Sequence, residues 1–307
     1  MSLINDDQVF YAFDPTLVPV LTVDQNEPFT LVTRDCFANQ LRSDDDTLDT
    51  LNWDTINPAT GPVAIANVKP GDVVRIDIRK IEMAGKSVMT TIPGSGVIGG
   101  VTEASTRVMG NDHGVLSIST VKGVLKLPLK PMIGVIGLAP AKGSMPNGTP
   151  GKHGGNMDCN LIGEGASLYL HAAVEGGIFG CGDVHALMGD GEVLVCGAET
   201  PARITLSATV VNIPQLPTPF VETRELYTTI ASAKSSDAAL KQAVDNMFNF
   251  LTEIVGLSQG DAGRLMSLVG NLKFCQVVDP EITIRFEFPK SVLSELGFTG
   301  IGIHGHH

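Results

Sequence analysis

A glycine-rich segment constrains the fold of this 307-residue chain more than any other feature of the sequence. Residues 134–197 contain 16 of the 34 glycines. Glycine at that density is typical of left-handed turns and of places where two backbones approach closely. Long irregular segments inside compact domains are usually functional. We therefore expect residues 131–200 to form a glycine-rich segment that carries the functional site.

The sequence on both sides of this segment has the patterns of regular structure. Residues 73–79 alternate apolar and charged side chains, which is typical of a half-buried strand. Similar patterns predict further strands within 91–130, 202–212, 220–230 and 282–288. The region before the glycine-rich segment is therefore expected to be mainly β.

Two helices are predicted near the C-terminus. From Ser236, which we expect to be the N-cap, apolar residues recur in steps of four and three up to Gly256. A second helix is predicted from Ser258 to Gly270. The predicted fold class is α+β, predominantly β, in one interlocked unit. Its regions are a mainly β part at 1–130, the glycine-rich segment at 131–200, and strands plus two helices at 201–307.

The charge balance excludes several classes of partner. The chain has 21 Lys and Arg against 33 Asp and Glu, which gives a net charge of −12. Nucleic acids and anionic membranes require a basic surface, so neither is an expected partner. No apolar stretch is long enough for a membrane-spanning helix. The first residues also lack the basic start of a signal peptide.

The cysteine usage and the low charge indicate where the protein works and in what form. Five cysteines without CxxC spacing indicate reduced thiols, so a cytoplasmic location is expected. Charged residues are only 18% of an apolar chain, which indicates surface covered by a second copy. We expect a homo-oligomer, most simply a dimer. His304, His306 and His307 are interpreted as part of an expression tail and are not used below.

Two clusters of histidine and acidic residues lie within the glycine-rich segment. The sequence HGGNMDCN contains His153 and Asp158, and the sequence GDVHALMGDGEV contains Asp183 and His185. Imidazole and carboxylate are ligands that catalytic zinc accepts. The Asp-x-His spacing places both side chains on one face of an extended segment. The alternative is that both histidines are polar surface residues on turns and that the acids cap backbone N–H groups.

Other catalytic schemes have weaker support. The sequence has no GxSxG and no SxxK motif. Cys159, Cys181 and Cys196 are near the histidines in sequence, so a Cys–His pair is an alternative, although free cysteine is usually buried. His171 follows an apolar run and is interpreted as a core histidine with satisfied hydrogen bonds. His113, in NDHG, is predicted to lie in a turn.

Several blocks of the sequence form a specific combination. They are VTRDCF at 32–37, VKPGDVVRIDI at 68–78, PMIGVIGLAPA at 131–141, HGGNMDCN at 153–160 and GDVHALMGDGEVLVCGAE at 182–199. Their residues, order and spacing resemble the acetamidase/formamidase family. The resemblance implies a sandwich-like β region with a small β-barrel and a C-terminal α/β region. It also implies an oligomeric enzyme that contains a divalent metal.

The resemblance implies a metal site built from both clusters and one earlier block. The matching positions are Asp35, His153, Asp158, Asp183 and His185. Zinc is the expected metal, with calcium as the alternative. Glu192 and Asp158 are the expected catalytic residues, with Glu192 as the general base that passes the water proton to departing ammonia. Alternatively, Glu192 only orients His185.

The predicted function is hydrolysis of short linear aliphatic amides, of the formamide and acetamide type, to carboxylic acid and ammonia. The expected substrate is therefore a small neutral molecule. Two other interpretations stay open. One is a metal-stabilised binding protein without turnover, and the other is a hydrolase of a cyclic or larger C–N compound.

Overall fold

Strands form most of the regular structure in the computed structural model, which describes residues 2–301. The three tail histidines lie outside the described residues. The strands are β1 (Ser2–Ile4), β2 (Val9–Phe10), β3 (Ala12–Phe13), β4 (Leu21–Val23), β5 (Phe29–Thr33), β6 (Ala59–Ile65), β7 (Val73–Met83), β8 (Lys86–Thr91), β9 (Ser105–Asp112), β10 (Val115–Thr120), β11 (Gly123–Pro128), β12 (Met132–Leu138), β13 (Met145–Pro146), β14 (Gly154–Asn156), β15 (Ser167–His171), β16 (Phe179–His185), β17 (Ala202–Val211), β18 (Phe220–Glu222), β19 (Leu226–Ala233), β20 (Asn271–Gln276) and β21 (Ile282–Pro289). The predicted α+β class with a predominance of β structure is confirmed.

Two large sheets pack face to face as a sandwich. The nine-stranded sheet has the order β1-β5-β17-β7-β15-β18-β19-β21-β20. The six-stranded sheet has the order β14-β12-β16-β6-β2, with β4 beside β6. Fully buried side chains from both sheets fill the space between them, including Leu31 and Ile76 from the first and Ile136 and Phe179 from the second. This core holds β12 and β16 rigidly, and β16 ends at a predicted site residue.

Two smaller sheets complete the β structure. Strands β11-β10-β9-β8 form an antiparallel sheet, and β13 pairs with β3. None of the four sheets closes on itself within residues 2–301, so the small barrel implied by the resemblance is not found in that range. Glu199 connects two sheets, because it forms bridges with Val88 on β8 and with His185 at the end of β16.

The helices cover the C-terminal half of the nine-stranded sheet. They are α1 (Ser236–Asn249), α2 (Gln259–Val269) and α3 (Lys290–Glu295), with 3-10 turns at Leu48–Thr50 and Trp53–Thr55 and a π-helical turn at Phe250–Ile254. Met247 and Phe250 pack against Phe220 and Phe288 of the sheet in a second apolar core. No helix within residues 2–301 has the length and apolar character that a membrane crossing requires.

Two local predictions need correction, and one is confirmed. The N-cap of α1 is Ser235, because Ser235 has the extended backbone and accepts from Ala238 N, while Ser236 is already helical. The predicted strand 220–230 is a hairpin, because Thr223 turns the chain by bonding to Leu226. The second helix begins and ends as predicted, since Ser258 accepts from the backbone N–H of its capping box.

Candidate active site

Strand β16 brings two predicted ligands to one point at its C-terminal end. Asp183 Oδ1 lies 3.5 Å from His185 Nε2. Asp183 has a left-handed backbone with φ of 55°, which Asp tolerates better than most residues. The structure therefore brings the Asp-x-His pair together, although the strand is not regular at that residue.

Three further carboxylates surround the same ring nitrogen. The distances from His185 Nε2 are 3.1 Å to Glu199 Oε1, 3.8 Å to Glu192 Oε1 and 3.9 Å to Asp158 Oδ1. All of these side chains, and that of Asp183, are at most 4% exposed. Like charges at such distances inside a protein are unfavourable unless protons or a cation compensate them. We call His185 and these four carboxylates the acidic cluster.

Two glycines allow the side chains of the acidic cluster to approach one another closely. A Cβ at Gly134 on β12 would overlap carboxylate oxygens of both Asp158 and Asp183. A Cβ at Gly197 would lie 2.6 Å from Nδ1 of His185. Both positions therefore require glycine for close approach, which is the physical reason for part of the glycine content of this segment.

The turn that carries Glu192 is fixed from the C-terminal part of the chain. Gly191 N donates to Cys275 O at 2.9 Å, and Gly191 O accepts from Val277 N at 3.1 Å. Beside it, Arg285 is 1% exposed, and its Nη2 lies 2.8 Å from Asp190 Oδ1. The end of β20 and the ion pair of the buried Arg285 with Asp190 therefore hold the turn next to the acidic cluster.

The same C-terminal segment adds one more carboxylate. Gln276 Oε1 accepts from the backbone N–H of Asp279 at 3.0 Å, which orders the loop after β20. Asp279 Oδ2 then accepts from Asn156 Nδ2 at 2.8 Å. Asp279 lines the same cavity as Asp183, Glu192 and Glu199.

Burial and mutual repulsion perturb the ionisation of this group. Burial raises the pKa of Glu192 to about 8, and it raises the pKa of Glu199 and of Asp279 to about 7. Burial, with the charges of Glu192 and Asp183, raises the pKa of Asp158 well above its usual value. Burial alone would lower the pKa of His185, but the charges of Glu199 and Asp183 outweigh it and raise the pKa well above 6.5. Because buried carboxylates repel one another, this group of side chains favours the binding of a cation.

The donor atoms fit a divalent metal. One ligand atom each from Asp158, His185 and Glu192 lie within 4.8 Å of one another, and Cys36, Asp183 and Glu199 form a second such group. His185 Nε2, both Asp158 oxygens and Glu199 Oε2 are buried without a hydrogen-bond partner among residues 2–301. Buried polar atoms without partners are rare and require an explanation. Imidazole and carboxylate donors of this kind suit zinc or a similar ion.

Two of the residues predicted as metal ligands, Asp35 and His153, are not members of either group of ligand atoms. Asp35 is 4% exposed, accepts from Asn39 N at 2.8 Å and borders a neighbouring cavity with Glu199. His153 packs edge-on against Phe13, with ring centroids 5.3 Å apart, and lines a different cavity. The roles of both as ligands stay predictions. The geometry gives a closer donor set without them.

The sequence interpretation did not single out Glu199 and Asp279. Glu199 lies at the end of the block GDVHALMGDGEVLVCGAE. Its closeness in the sequence to the other acidic residues was the signal that could have identified it as a site residue. Asp279 comes from VVDPE, 79 residues after the end of the glycine-rich segment at residue 200, and no local pattern marks it. The pairing of Gly191 with the end of β20 and the hydrogen bond from Asn156 bring it to the site.

The other histidines and the cysteines have structural surroundings. His171 Nδ1 lies 2.7 Å from Thr218 Oγ1, and His113 turns the chain between β9 and β10 with φ of 46°. Burial raises the pKa of the Cys181 thiol, and it raises that of Cys196 to about 12. A protonated, buried thiol is a poor nucleophile. Neither Cys181 nor Cys196 is therefore activated as the cysteine alternative requires.

Comparisons with known proteins agree with the residue blocks. An acetamidase from Bacillus halodurans is 36% identical, with a TM-score of 0.92 over 96% of this chain and 100% of that one. A predicted acetamidase/formamidase from Thermoanaerobacter tengcongensis is 42% identical, with a TM-score of 0.91 over 96% of this chain and 98% of that one. A formamidase from Methylophilus methylotrophus is 21% identical over 250 residues, or 63% of this chain. The chain spans 61% of the length of the curated relatives it matches.

The family comparison covers nearly the whole described chain. The model of the Acetamidase/Formamidase family matches residues 3–149 and 147–294. These two ranges include the acidic cluster, Asp35 and the loop that carries Asp279. The chain belongs to the acetamidase/formamidase family.

Proposed function

We propose that the protein hydrolyses linear carboxamides, with formamide and acetamide as the simplest substrates, to a carboxylic acid and ammonia. The observation that carries the proposal is the buried acidic cluster, whose Asp183, Glu192 and Glu199 line a cavity, in a chain of this family. In the reaction the water oxygen bonds to the carbonyl carbon and the C–N bond breaks. The nitrogen leaves with a proton from the water, because an amide anion is too basic to depart.

A divalent metal is part of this proposal. Asp158, Asp183, His185 and Glu199 would hold it, with Cys36 beside them. Zinc is the proposed ion, and calcium is the alternative because carboxylate oxygens outnumber nitrogen donors. When bound, such an ion supplies Lewis-acid polarisation and makes water more acidic. The remaining steps belong to the side chains of this chain.

Glu192 is the proposed residue that moves the proton. Its Oε1 lies among the acidic cluster, and its side chain also lines the cavity. A carboxyl group with a pKa near the working pH can accept a proton from water and return it to the departing nitrogen. The hydrogen bonds from β20 to Gly191 fix the turn and so orient this carboxyl. Asp158, buried beside it, is the other proposed catalytic residue.

The experiment measures metal content and ammonia release together. Protein purified without a histidine tag is expected to contain about one divalent ion per chain. It should release ammonia from formamide and acetamide, lose activity after chelation and regain it with zinc. Stoichiometric metal without turnover of any amide would instead indicate a binding protein. Turnover of cyclic amides alone would indicate a different C–N hydrolase.

A homodimer in the cytoplasm is also proposed. The edge strand β11 exposes apolar side chains, with Val124 66% and Leu125 50% exposed, and Val121 beside it is fully exposed. An exposed apolar strand edge is unfavourable unless another surface covers it. Size-exclusion chromatography with light scattering should give about twice the 32.3 kDa chain mass. A single 32.3 kDa species at micromolar concentration would contradict the dimer.

A further inference from the structure

The cavity beside the acidic cluster is lined by both acidic and apolar side chains. Asp183, Glu192 and Asp279 are among its acidic residues. Tyr11, Trp53, Ile56 and Ile92 also line it, and we call these four residues its apolar part. Trp53, the one tryptophan of the chain, lies in a 3-10 turn and is 48% exposed, which places it at the opening.

The cavity is large for the smallest amides. Its volume is about 410 Å³. At about 30 Å³ per water-sized group in a liquid, this space equals about 14 such groups. Acetamide has four non-hydrogen atoms and would leave most of the space to water. A site that excludes water from the reacting bond therefore needs a larger acyl group to fill the apolar part.

Three asparagines add hydrogen-bond acceptors to the cavity. Asn57, Asn147 and Asn156 all line it, and each has a buried side-chain oxygen without a partner among residues 2–301. The orientation of Asn147 is fixed, because its Nδ2 donates to Phe10 O at 2.7 Å and to Asn57 O at 2.9 Å. Asn156 is oriented in the same way by its donation to Asp279. The described residues therefore leave these oxygens without a donor.

An unsubstituted amide is the ligand group that matches these acceptors. Its NH₂ carries two N–H donors, whereas an N-alkylated amide has one and an ester has none. Buried acceptors discriminate strongly against a ligand that lacks the matching donor, because the acceptors are then left unpaired. The asparagines therefore select for the nitrogen end of the substrate.

We infer that the preferred substrate is a primary carboxamide with a neutral, apolar acyl group of about eight to ten non-hydrogen atoms, such as an arylacetamide. Asn147 and Asn156 accept from its NH₂, and Trp53 and Ile92 contact its acyl group. This inference rests on the proposed amide hydrolysis and specifies its substrate class. The reaction is unchanged: water adds to the carbonyl carbon, the C–N bond breaks and ammonia leaves.

The first test compares acyl groups by measuring carboxylate release. Phenylacetamide should have a kcat/KM at least about tenfold above that of acetamide, since each methylene bound in an apolar pocket is worth about 10-fold or more. Equal or higher kcat/KM for acetamide would overturn the inference and leave the proposed function intact. No release from any amide by the metal-loaded protein would overturn the proposed function and the inference with it.

The second test compares the nitrogen end. N-methylphenylacetamide should react at least about 100-fold more slowly than phenylacetamide, because one donor is missing and a methyl group lies against the acceptors. The Asn156→Ala variant should reduce this preference about tenfold. If the N-methyl amide is hydrolysed as fast as the primary amide, the role of the asparagines is wrong.

The third test removes one wall of the apolar part. Trp53→Ala should lower the ratio of kcat/KM for phenylacetamide to that for acetamide by about tenfold. Leu268→Ala is the matched control, because Leu268 is 77% exposed on α2 and does not line this cavity. Its ratio should equal that of the unmodified protein. An unchanged ratio in Trp53→Ala would remove Trp53 from the substrate site and overturn this part of the inference.

Discussion

The two histidines of the glycine-rich segment have opposite surroundings. His185 is enclosed by four carboxylates at 3.1–3.9 Å. His153 packs against Phe13, and no carboxylate of residues 2–301 lines its cavity of about 850 Å³. Burial lowers the pKa of His153 to about 4, whereas nearby charges raise the pKa of His185 well above its usual value. The His153 ring is therefore neutral, and the carboxylates around His185 attract positive charge.

Strand β12 explains this difference. Gly134 faces Asp158 and Asp183, and Gly137 faces the backbone carbonyl of His153. Three residues of an extended strand span about 10 Å, so the two glycines lie against different sites. Two motifs that look equivalent in the sequence therefore lie in different surroundings, because β12 lies between β14, which directly follows His153, and β16, which carries Asp183 and His185. We accordingly expect that only His185 binds the metal.

Replacing each histidine gives the largest contrast. His185→Ala should lose metal and reduce kcat/KM by about 10⁴-fold, since a catalytic metal supplies several kcal/mol to the transition state. His153→Ala should keep about one ion per chain, because its ring lies outside the acidic cluster. Elemental analysis with an ammonia assay on both variants decides the question. Loss of metal from both would restore His153 as a ligand.

Replacing Glu192 examines the role of one member of the acidic cluster. Glu192→Gln keeps the shape of the side chain but cannot accept the water proton. Turnover should fall about 10²–10⁴-fold while metal content stays unchanged. If Glu192 instead only orients or binds the metal, affinity for the ion should fall about 10–100-fold, and added metal should restore the rate. That rescue would transfer the base role to another carboxyl.

The two glycines of β12 provide a finer comparison. Gly134→Ala should reduce metal affinity about 10–100-fold, because its Cβ would displace the carboxylates of Asp158 and Asp183. Gly137→Ala overpacks the region of His153 and should destabilise the fold by about 1–3 kcal/mol. Its metal affinity should match that of the unmodified protein. Metal titration and urea unfolding of both variants separate these effects, and equal metal affinities would contradict the comparison.

The last prediction concerns acid stability. The pKa of His153 is about 4 in the folded protein and about 6.5 when unfolded, so the unfolded chain binds more protons between these values. Stability from this group is therefore present above pH 6.5 and lost as the pH falls towards 4. The loss is about 3 kcal/mol. The stability difference between the protein and its His153→Gln variant, measured in urea at both pH values, should change by that amount. A constant difference would contradict the buried neutral state.

Local signals were sufficient for parts of the fold and of the site. Alternation at 73–79 predicted β7, which extends to Met83, and the capping residue Ser258 predicted the start of α2. The spacing of Asp183 and His185 predicted that their side chains approach each other. In each case the relevant interaction lies within a few residues, so that the pattern in the sequence contains it.

Other parts depend on contacts between distant segments. Asp279 reaches the site through the pairing of Gly191 with Gln276, and Asn147 is oriented by the backbone carbonyl of Phe10. Neither contact has a local signature. The position of His153 depends on which strand lies between it and the acidic cluster, and that follows from the order of strands in the sheet.

The late position of Asp279 in the chain has a consequence for biosynthesis. The segments that carry Asp158, His185 and Glu192 leave the ribosome before β20, which fixes the turn at Gly191. Until β20 is made, that turn has no strand to hold it, and the carboxylates that repel one another have no fixed geometry. The proposed metal would therefore bind at full affinity only after the C-terminal strands are translated, and a chain truncated before them would be released without a finished site.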